Sequence, residues 1–395
     1  MTTDDGASRA AYLAEVVRTL YPEPVAGPGG RGVFLVVPHA RAPRLLVPAR
    51  PRRVASTAVR RYAEPRNRRA RLKRQAVVLA LRTGADRWLL PDRVVVSTTG
   101  SIEAHLHRVL GEPVVPSIHI GPARANRKAV LQLLRPDGRT VGFAKVGTGP
   151  LTRRLVRDET VALRALADAR LRLVTVPEVW YAGDWRGHEI LVQRALPVWR
   201  PRVALAPGRL AAAMRELAEC QGVTDGPLAA SAYWAQLRQR VAAVADRPDG
   251  ADLAAAVKGL GDSFGDLRLR FGSWHGDWTG WNMAVLADTL LVWDWERFTT
   301  GVPLGFDAVH YALQERVQSA ADPAKALAAT LREVADLLAP FDVEPAAREP
   351  TALLYLADLA ARYLADRQAE AGARLGALGT WLLPVLIRRL DQLAR

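Results

Sequence analysis

Asp277, Asn282 five residues on, and Asp294 twelve beyond that are the residues of this chain best placed to do chemistry. They sit in the runs His275-Gly276-Asp277-Trp278-Thr279-Gly280-Trp281-Asn282 and Val292-Trp293-Asp294-Trp295. Two carboxylates and an amide close together suit a reaction at a metal-bound phosphate. One carboxylate can take the proton of a hydroxyl, while the other two groups offer oxygen to Mg2+, a hard cation that prefers such ligands. With only three asparagines and seven histidines in 395 residues, the spacing is a specific signal.

A second candidate pair lies earlier. Lys145 closes the apolar run 141–146 and is one of five lysines among 55 basic residues. An ammonium there, in a chain that otherwise uses arginine, suits a point-charge contact to phosphate; a surface lysine is the plain alternative. Glu159 falls on the apolar stripe of the helix that follows, four residues after Leu155 and four before Leu163. A carboxylate facing a core needs a cation, which Lys145 or a neighbouring arginine could supply.

The elements that must position these groups follow from periodicity and turn residues. Residues 8–21 have helical spacing, 33–37 and 45–47 read as strands, basic helical stretches follow at 53–62 and 67–83, and Ser101 opens another helix. Gly27 to Gly32 is a turn cluster, and short apolar runs stand at 88–90 and 94–96. From Pro113, strands are expected at 114–120, 129–134 and 141–146, with Asp137-Gly138 as a hairpin turn because glycine supplies the positive φ. The loop from Gly121 to Asn126 is either a phosphate-covering loop or an ordinary connection, since it lacks the G-x-G-x-x-G pattern. A helix is expected from Thr152 as N-cap, then strands at 174–179, 180–183 and 190–193. Pro197, Pro201 and Pro207 mark a hinge, beyond which helices are expected at 208–221, 228–245, 251–260, 304–318, 323–339, 349–370 and 373–394. A β-rich lobe followed by a larger helical one is an α+β fold.

Composition narrows the class. At 49% apolar and 24% charged residues the chain has ample core-forming side chains, and its apolar runs are too short to span a bilayer. The N-terminal stretch shows no apolar signal segment, and the single cysteine, Cys220, can form no internal disulfide, so a reducing cytoplasm is expected. The net charge of +15 is concentrated early: residues 1–110 hold 20 basic against 8 acidic residues. Between Arg50 and Arg74 lie eleven basic residues and one acid, Glu64. Such a surface attracts nucleic acid, anionic lipid or another polyanion. A GC-rich coding bias toward arginine accounts for it without function, and is the reading preferred from sequence.

In the order Lys145, Glu159, hinge, His275-Gly276-Asp277, Asn282, Asp294, and in Gly301-Val302-Pro303-Leu304-Gly305-Phe306-Asp307 after them, the chain resembles the aminoglycoside phosphotransferase family of the protein-kinase-like fold. The resemblance covers 113–395. It implies a two-lobe fold, with a small β-rich nucleotide-binding lobe at 113–196 and a larger α-helical lobe at 197–395 carrying the catalytic and metal-binding loops. Residues 1–112 fall outside it, as a basic extension of mixed α/β character.

The same resemblance implies ATP or GTP as phosphate donor and Mg2+ as metal. Asp277 would orient or deprotonate the acceptor hydroxyl, with His275 ordering its loop and Asp307 bracing it. Asn282 and Asp294 would hold the metal. Lys145, fixed by Glu159, would contact phosphates under the loop at Gly121 and Asn126, and backbone groups at Gln193 to Ala195 would hold the adenine. Glu296, where many kinases carry glycine, is expected solvated or paired with Arg297, with an additional metal-shell carboxylate as the alternative. Trp274 and Trp293 are expected in the core, while Trp278 and Trp281 offer either packing or a face for a sugar ring. The expected activity is γ-phosphate transfer to a hydroxyl of a sugar or other small metabolite; the mixed charges after residue 304 do not favour a polycationic antibiotic. Two alternatives stand beside it: a kinase whose peptide or polymer acceptor is docked by 1–112, and a nucleotide-binding pseudokinase. The sequence sets no oligomeric state.

Overall fold

Residues 3–24, 30–61, 68–206, 208–373 and 375–393 are described by the computed structural model. They fold as two units, Met1–Thr160 with Glu178–Leu196, and Val161–Pro177 with Pro197–Arg395. The architecture is α+β, as the sequence pattern implies. Gly27 of the turn cluster, Glu64 of the basic stretch, Pro207 of the hinge, and the expected helix ends at 62, 67 and 394 lie outside the described residues.

An antiparallel sheet of eight strands forms the first unit. Its strands are β1 (Arg31–Val37), β2 (Leu45–Pro48), β3 (Arg93–Ser97), β4 (Val115–His119), β5 (Ala129–Leu134) and β6 (Thr140–Gly147). Past the short β7 (Val174–Thr175), which belongs with the second unit, come β8 (Val179–Trp185) and β9 (His188–Arg194). Their order across the sheet is β3-β1-β2-β4-β5-β6-β9-β8. The boundary expected at residue 112 is therefore corrected. Residues 1–112 do not stand apart, because β2 pairs with β4 through Leu45 with His119 and Leu46 with Ile118, carrying the sheet straight across it.

Side-chain alternation explains why both faces are covered. Phe34 and Val36 join Leu131, Val146 and Ile190 on one face, under α1 (Thr3–Leu20) and α5 (Ile102–Leu110). Leu35, Leu45 and Val47 face the other way, against Val54, Ala58 and Val59 of α2 (Arg52–Arg61) and Leu81 of α3 (Arg68–Thr83). The apolar run expected at 88–90 overlaps the end of a short helix, α4 (Asp86–Leu89). Gly138, at φ 88°, turns the β5–β6 hairpin as expected. The next helix, α6 (Pro150–Asp168), starts two residues before the anticipated cap. Thr152 sits inside its first turn and its Oγ1 accepts the N–H groups of Thr148 and Gly149 at 3.1 and 3.0 Å.

The second unit is helical, with two small sheets. Its helices are α7 (Arg209–Glu219), α8 (Ala232–Ala242), α9 (Gly250–Phe264), α10 (Phe306–Ser319), α11 (Pro323–Arg332), α12 (Val334–Leu338), α13 (Pro345–Ala365) and α14 (Leu383–Leu393). The helix expected over 323–339 is broken at Glu333, and the one expected over 373–394 is confined to its second half. Strands β10 (Thr224–Pro227), β11 (Arg268–Trp274) and β14 (Thr299–Pro303) form one sheet; β12 (Met283–Val285) and β13 (Leu290–Val292) form the other with β7. Helix α13 is buried on nearly every side and is the axis of this unit's core.

Candidate active site

The two small sheets fix where the chemistry-bearing residues of the second unit fall. Strand β11 runs directly into His275-Gly276-Asp277, β12 begins immediately after Asn282, and β13 ends one residue before Trp293-Asp294. Trp293 N–H donates to the Asn282 carbonyl at 3.0 Å, so Asp294 is delivered beside the amide by backbone pairing. Gly276 has φ 79°, and a Cβ there would come within 2.4 Å of the Arg297 carbonyl oxygen, so only glycine fits this bend.

Asp277 is held from several directions. The Asn282 Nδ2 donates to its carbonyl at 3.0 Å and to its Oδ2 at 3.1 Å. The His310 Nε2 lies 3.2 Å from its Oδ1, and the His310 Nδ1 lies 2.8 Å from the Tyr355 hydroxyl. A carboxylate can only accept, so His310 carries its proton on Nε2 and takes the tyrosine proton on Nδ1. Burial alone would raise the Asp277 carboxyl. The His310 hydrogen bond and the positive charge of Arg362 overcome it, and the net shift is downward. His310 is itself pushed down by burial, so it acts here as a neutral donor. The Asp277 side chain nevertheless keeps 37% of its surface exposed.

The loop around it is braced by buried groups. Asp307 accepts the His275 and Gly276 N–H groups at 2.7 and 3.1 Å. Burial pushes the Asp307 carboxyl up to about 7, against the pull of those two donors. Arg362 of α13 donates to the Gly276 carbonyl at 2.5 Å. His275 is fully buried, accepts the Asp277 N–H on Nδ1 at 3.1 Å and places Nε2 3.1 Å from the Trp293 carbonyl. Burial lowers its pKa to about 4, which makes it a neutral strut.

The metal candidates fit a hard cation. Both side-chain hydrogen bonds of Asn282 use Nδ2, which leaves Oδ1 as the free acceptor of its amide. Carboxylate oxygens of Asp294 and Glu296 lie within 4.8 Å of each other. Asp294 is held in the left-handed region at φ 73°. Glu296 is buried, which corrects its expected solvation, and Arg297 pairs with Asp366.

In the first unit, Lys145 Nζ contacts both oxygens of Glu159 at 2.6 and 2.7 Å, with both side chains buried. Gly121 and Asn126 are half-buried. A Cβ at Gly121 would meet only the Arg127 side chain, at 3.9 Å, so nothing steric demands glycine there. Helix α1 grips both ends of that loop: Arg9 donates to the Ile120 carbonyl at 2.8 Å, and Arg127 lies over the Tyr12 ring at 3.8 Å. Among the backbone groups expected to hold adenine, two N–H donors are already used. Arg194 N–H goes to the Glu178 carbonyl and Ala195 N–H to that of Val141. Gln193 instead presents a buried Oε1 that accepts no hydrogen bond among the described residues.

Trp278 is also corrected. It is fully buried, with Nε1 donating to the Met283 sulfur at 3.4 Å, so it packs and offers no face to a sugar. Trp281 is 39% exposed. Trp274 is core, and Trp293 is half-buried. His310, Tyr355 and Arg362 escaped the sequence reading. The one available signal was the scarcity of histidine, with His310 three residues after Asp307.

No family model matches the chain, and no curated protein matches it significantly. Among solved structures it is similar to choline kinase LicA from Streptococcus pneumoniae, at 14% identity over 74% of this chain and 98% of that one, with a TM-score of 0.49. A thermostable mutant of aminoglycoside phosphotransferase APH(4)-Ia matches at 17% identity over 73% and 99%, with a TM-score of 0.46. A choline/ethanolamine kinase family protein from Mesorhizobium loti matches at 14% over 70% and 88%, with a TM-score of 0.42. The chemistry assigned to this chain rests on its own residues.

Proposed function

We propose that this chain is a phosphotransferase that moves the γ-phosphate of ATP or GTP to a hydroxyl of a small molecule, such as a sugar or another metabolite, in the cytoplasm. One observation carries the reading: a partly exposed carboxylate, Asp277, immobilised by Asn282 and a neutral His310. A general base for phosphoryl transfer acts by position more than by basicity, because the transition state is loose. Asp277 takes the hydroxyl proton as the acceptor oxygen bonds to the γ-phosphorus, and the bond from that phosphorus to the β-phosphate bridging oxygen breaks. His310 keeps the carboxylate ionised and oriented. Asn282 and Asp294 would hold Mg2+, which when bound neutralises phosphate charge. Lys145, set by Glu159, places an ammonium for the nucleotide phosphates.

The test is transfer of label from γ-labelled ATP or GTP to a panel of small hydroxyl compounds. Transfer that needs Mg2+ and stops on chelation is the expected result. Label passing only to peptides or polymers, or no nucleotide turnover with any acceptor, would overturn the proposal.

A further inference from the structure

Helix α3 turns outward a face that surface helices of globular proteins seldom carry. It holds six basic residues and no acidic one. Leu81 is buried, with Val77 and Val78 packed on the same core. Leu72, Ala76 and Leu79, spaced as one helical face, are exposed, Leu72 and Leu79 by 65% and 62%. The adjoining α4 adds Trp88, exposed by 74%, and Leu89, by 50%. Five of the eleven large apolar side chains exposed among the described residues fall between Leu72 and Val95, so the apolar surface is concentrated here rather than scattered.

A cavity of about 470 Å3 adjoins this surface, lined by Arg50, Arg52, Arg87 and Arg93 together with Thr83 and Asp86. Asp86 is already paired with Arg93 at 3.3 Å. Arg87 lies over the Trp88 ring at 4.3 Å, which joins the cavity to the apolar patch. The side chains of Arg50 and Arg52 make no hydrogen bond or ion pair with another described residue. Four guanidinium groups gathered around one carboxylate leave a net positive charge, and an anion relieves their repulsion.

We propose that α3, α4 and this cavity form a docking surface for a bilayer containing anionic phospholipid. Headgroup phosphate sits among the arginines, and Leu72, Leu79, Trp88 and Leu89 enter the apolar boundary of the bilayer. Nucleic acid would match the arginines and stack on Trp88, but its polar backbone leaves the leucines without a partner. A free phosphate would leave them in water. A lipid surface satisfies both halves of the patch. No described helix is long and apolar enough to cross a membrane, so the chain would lie on the surface through this corner.

The experiment is flotation of the full chain with vesicles of phosphatidylglycerol and phosphatidylcholine, and with vesicles of phosphatidylcholine alone. Inorganic phosphate and duplex DNA serve as competing ligands. Two double variants go through the same assay, L72Q with L79Q and R50Q with R52Q. The chain should float with the anionic vesicles only, and each double variant should lower the bound fraction about ten-fold. Melting temperatures should be unchanged, because all four side chains are exposed. Added salt should weaken the wild-type binding. Absence of vesicle binding, equal binding to neutral vesicles, or binding untouched by the leucine pair would overturn the proposal. So would DNA bound more tightly than vesicles, or phosphate bound with no vesicle association.

Discussion

Two charged groups among the candidate site residues are finished to different degrees. In the first unit, Lys145 and Glu159 close on each other, with side chains 7% and 0% exposed. In the second, Asp277 is held by an amide and an imidazole, yet keeps an open edge. Burial turns the first pair into an element whose integrity depends on both partners, since one charge left alone in the interior is far costlier than the matched pair. Partial exposure turns the second into a group that can still meet a ligand. Position is common to both; the wider open edge belongs to Asp277.

The sharpest break of this comparison removes one partner of the buried pair. Glu159→Gln should lower stability by about 3–5 kcal/mol, measured by chemical denaturation, because the buried Lys145 ammonium loses the carboxylate it contacts through both oxygens. The double variant K145M with E159L should recover most of that loss while remaining inactive. A stable single variant would mean that the pair is not the buried charge unit described above.

A smaller effect is expected on the open side. His310→Ala should cut turnover about a hundred-fold, and should also lower stability by about 2–4 kcal/mol, because a fully buried side chain is removed and the Tyr355 hydroxyl loses its acceptor. Because His310 holds the Asp277 carboxyl down, the acid limb of the pH–rate profile should move to higher pH. An unmoved limb would show that His310 only packs.

The smallest effect concerns the strut. His275 has a folded-state pKa lowered to about 4 from an ordinary 6.5, so the unfolded chain binds the extra proton between those values. Its contribution to stability is complete above about pH 6.5 and is lost as pH falls toward 4. The destabilisation caused by His275→Gln should therefore be smaller at pH 5 than at pH 7.5, by about 2 kcal/mol. Asp307, raised to about 7, shifts stability the opposite way over this range in both proteins and drops out of the difference. An equal destabilisation at both pH values would mean that His275 is not held neutral by burial.

Much of this was legible locally. Glu159 on an apolar stripe demanded a cation, and the structure supplies Lys145. Asp137-Gly138 demanded a turn, and Gly138 takes the positive φ there. What escaped is tertiary. His310 reaches Asp277 across 33 residues, and Tyr355 arrives from α13, a helix buried so evenly that no stripe singles out one face. The joining of residues 1–112 to the sheet is a pairing between β2 and β4, and no local periodicity encodes which distant strand becomes a neighbour. Trp278 was ambiguous for a plainer reason: an indole suits a core and a sugar face equally well until burial decides.

The most direct test of the assignment compares Asp277→Asn with the wild-type chain, measuring nucleotide affinity and phosphate transfer on the same preparations. Asparagine preserves the side-chain shape and removes the proton acceptor. Nucleotide binding within about two-fold of wild type, with transfer reduced at least about a thousand-fold, is the expected result. Full transfer by the Asp277→Asn protein would contradict it.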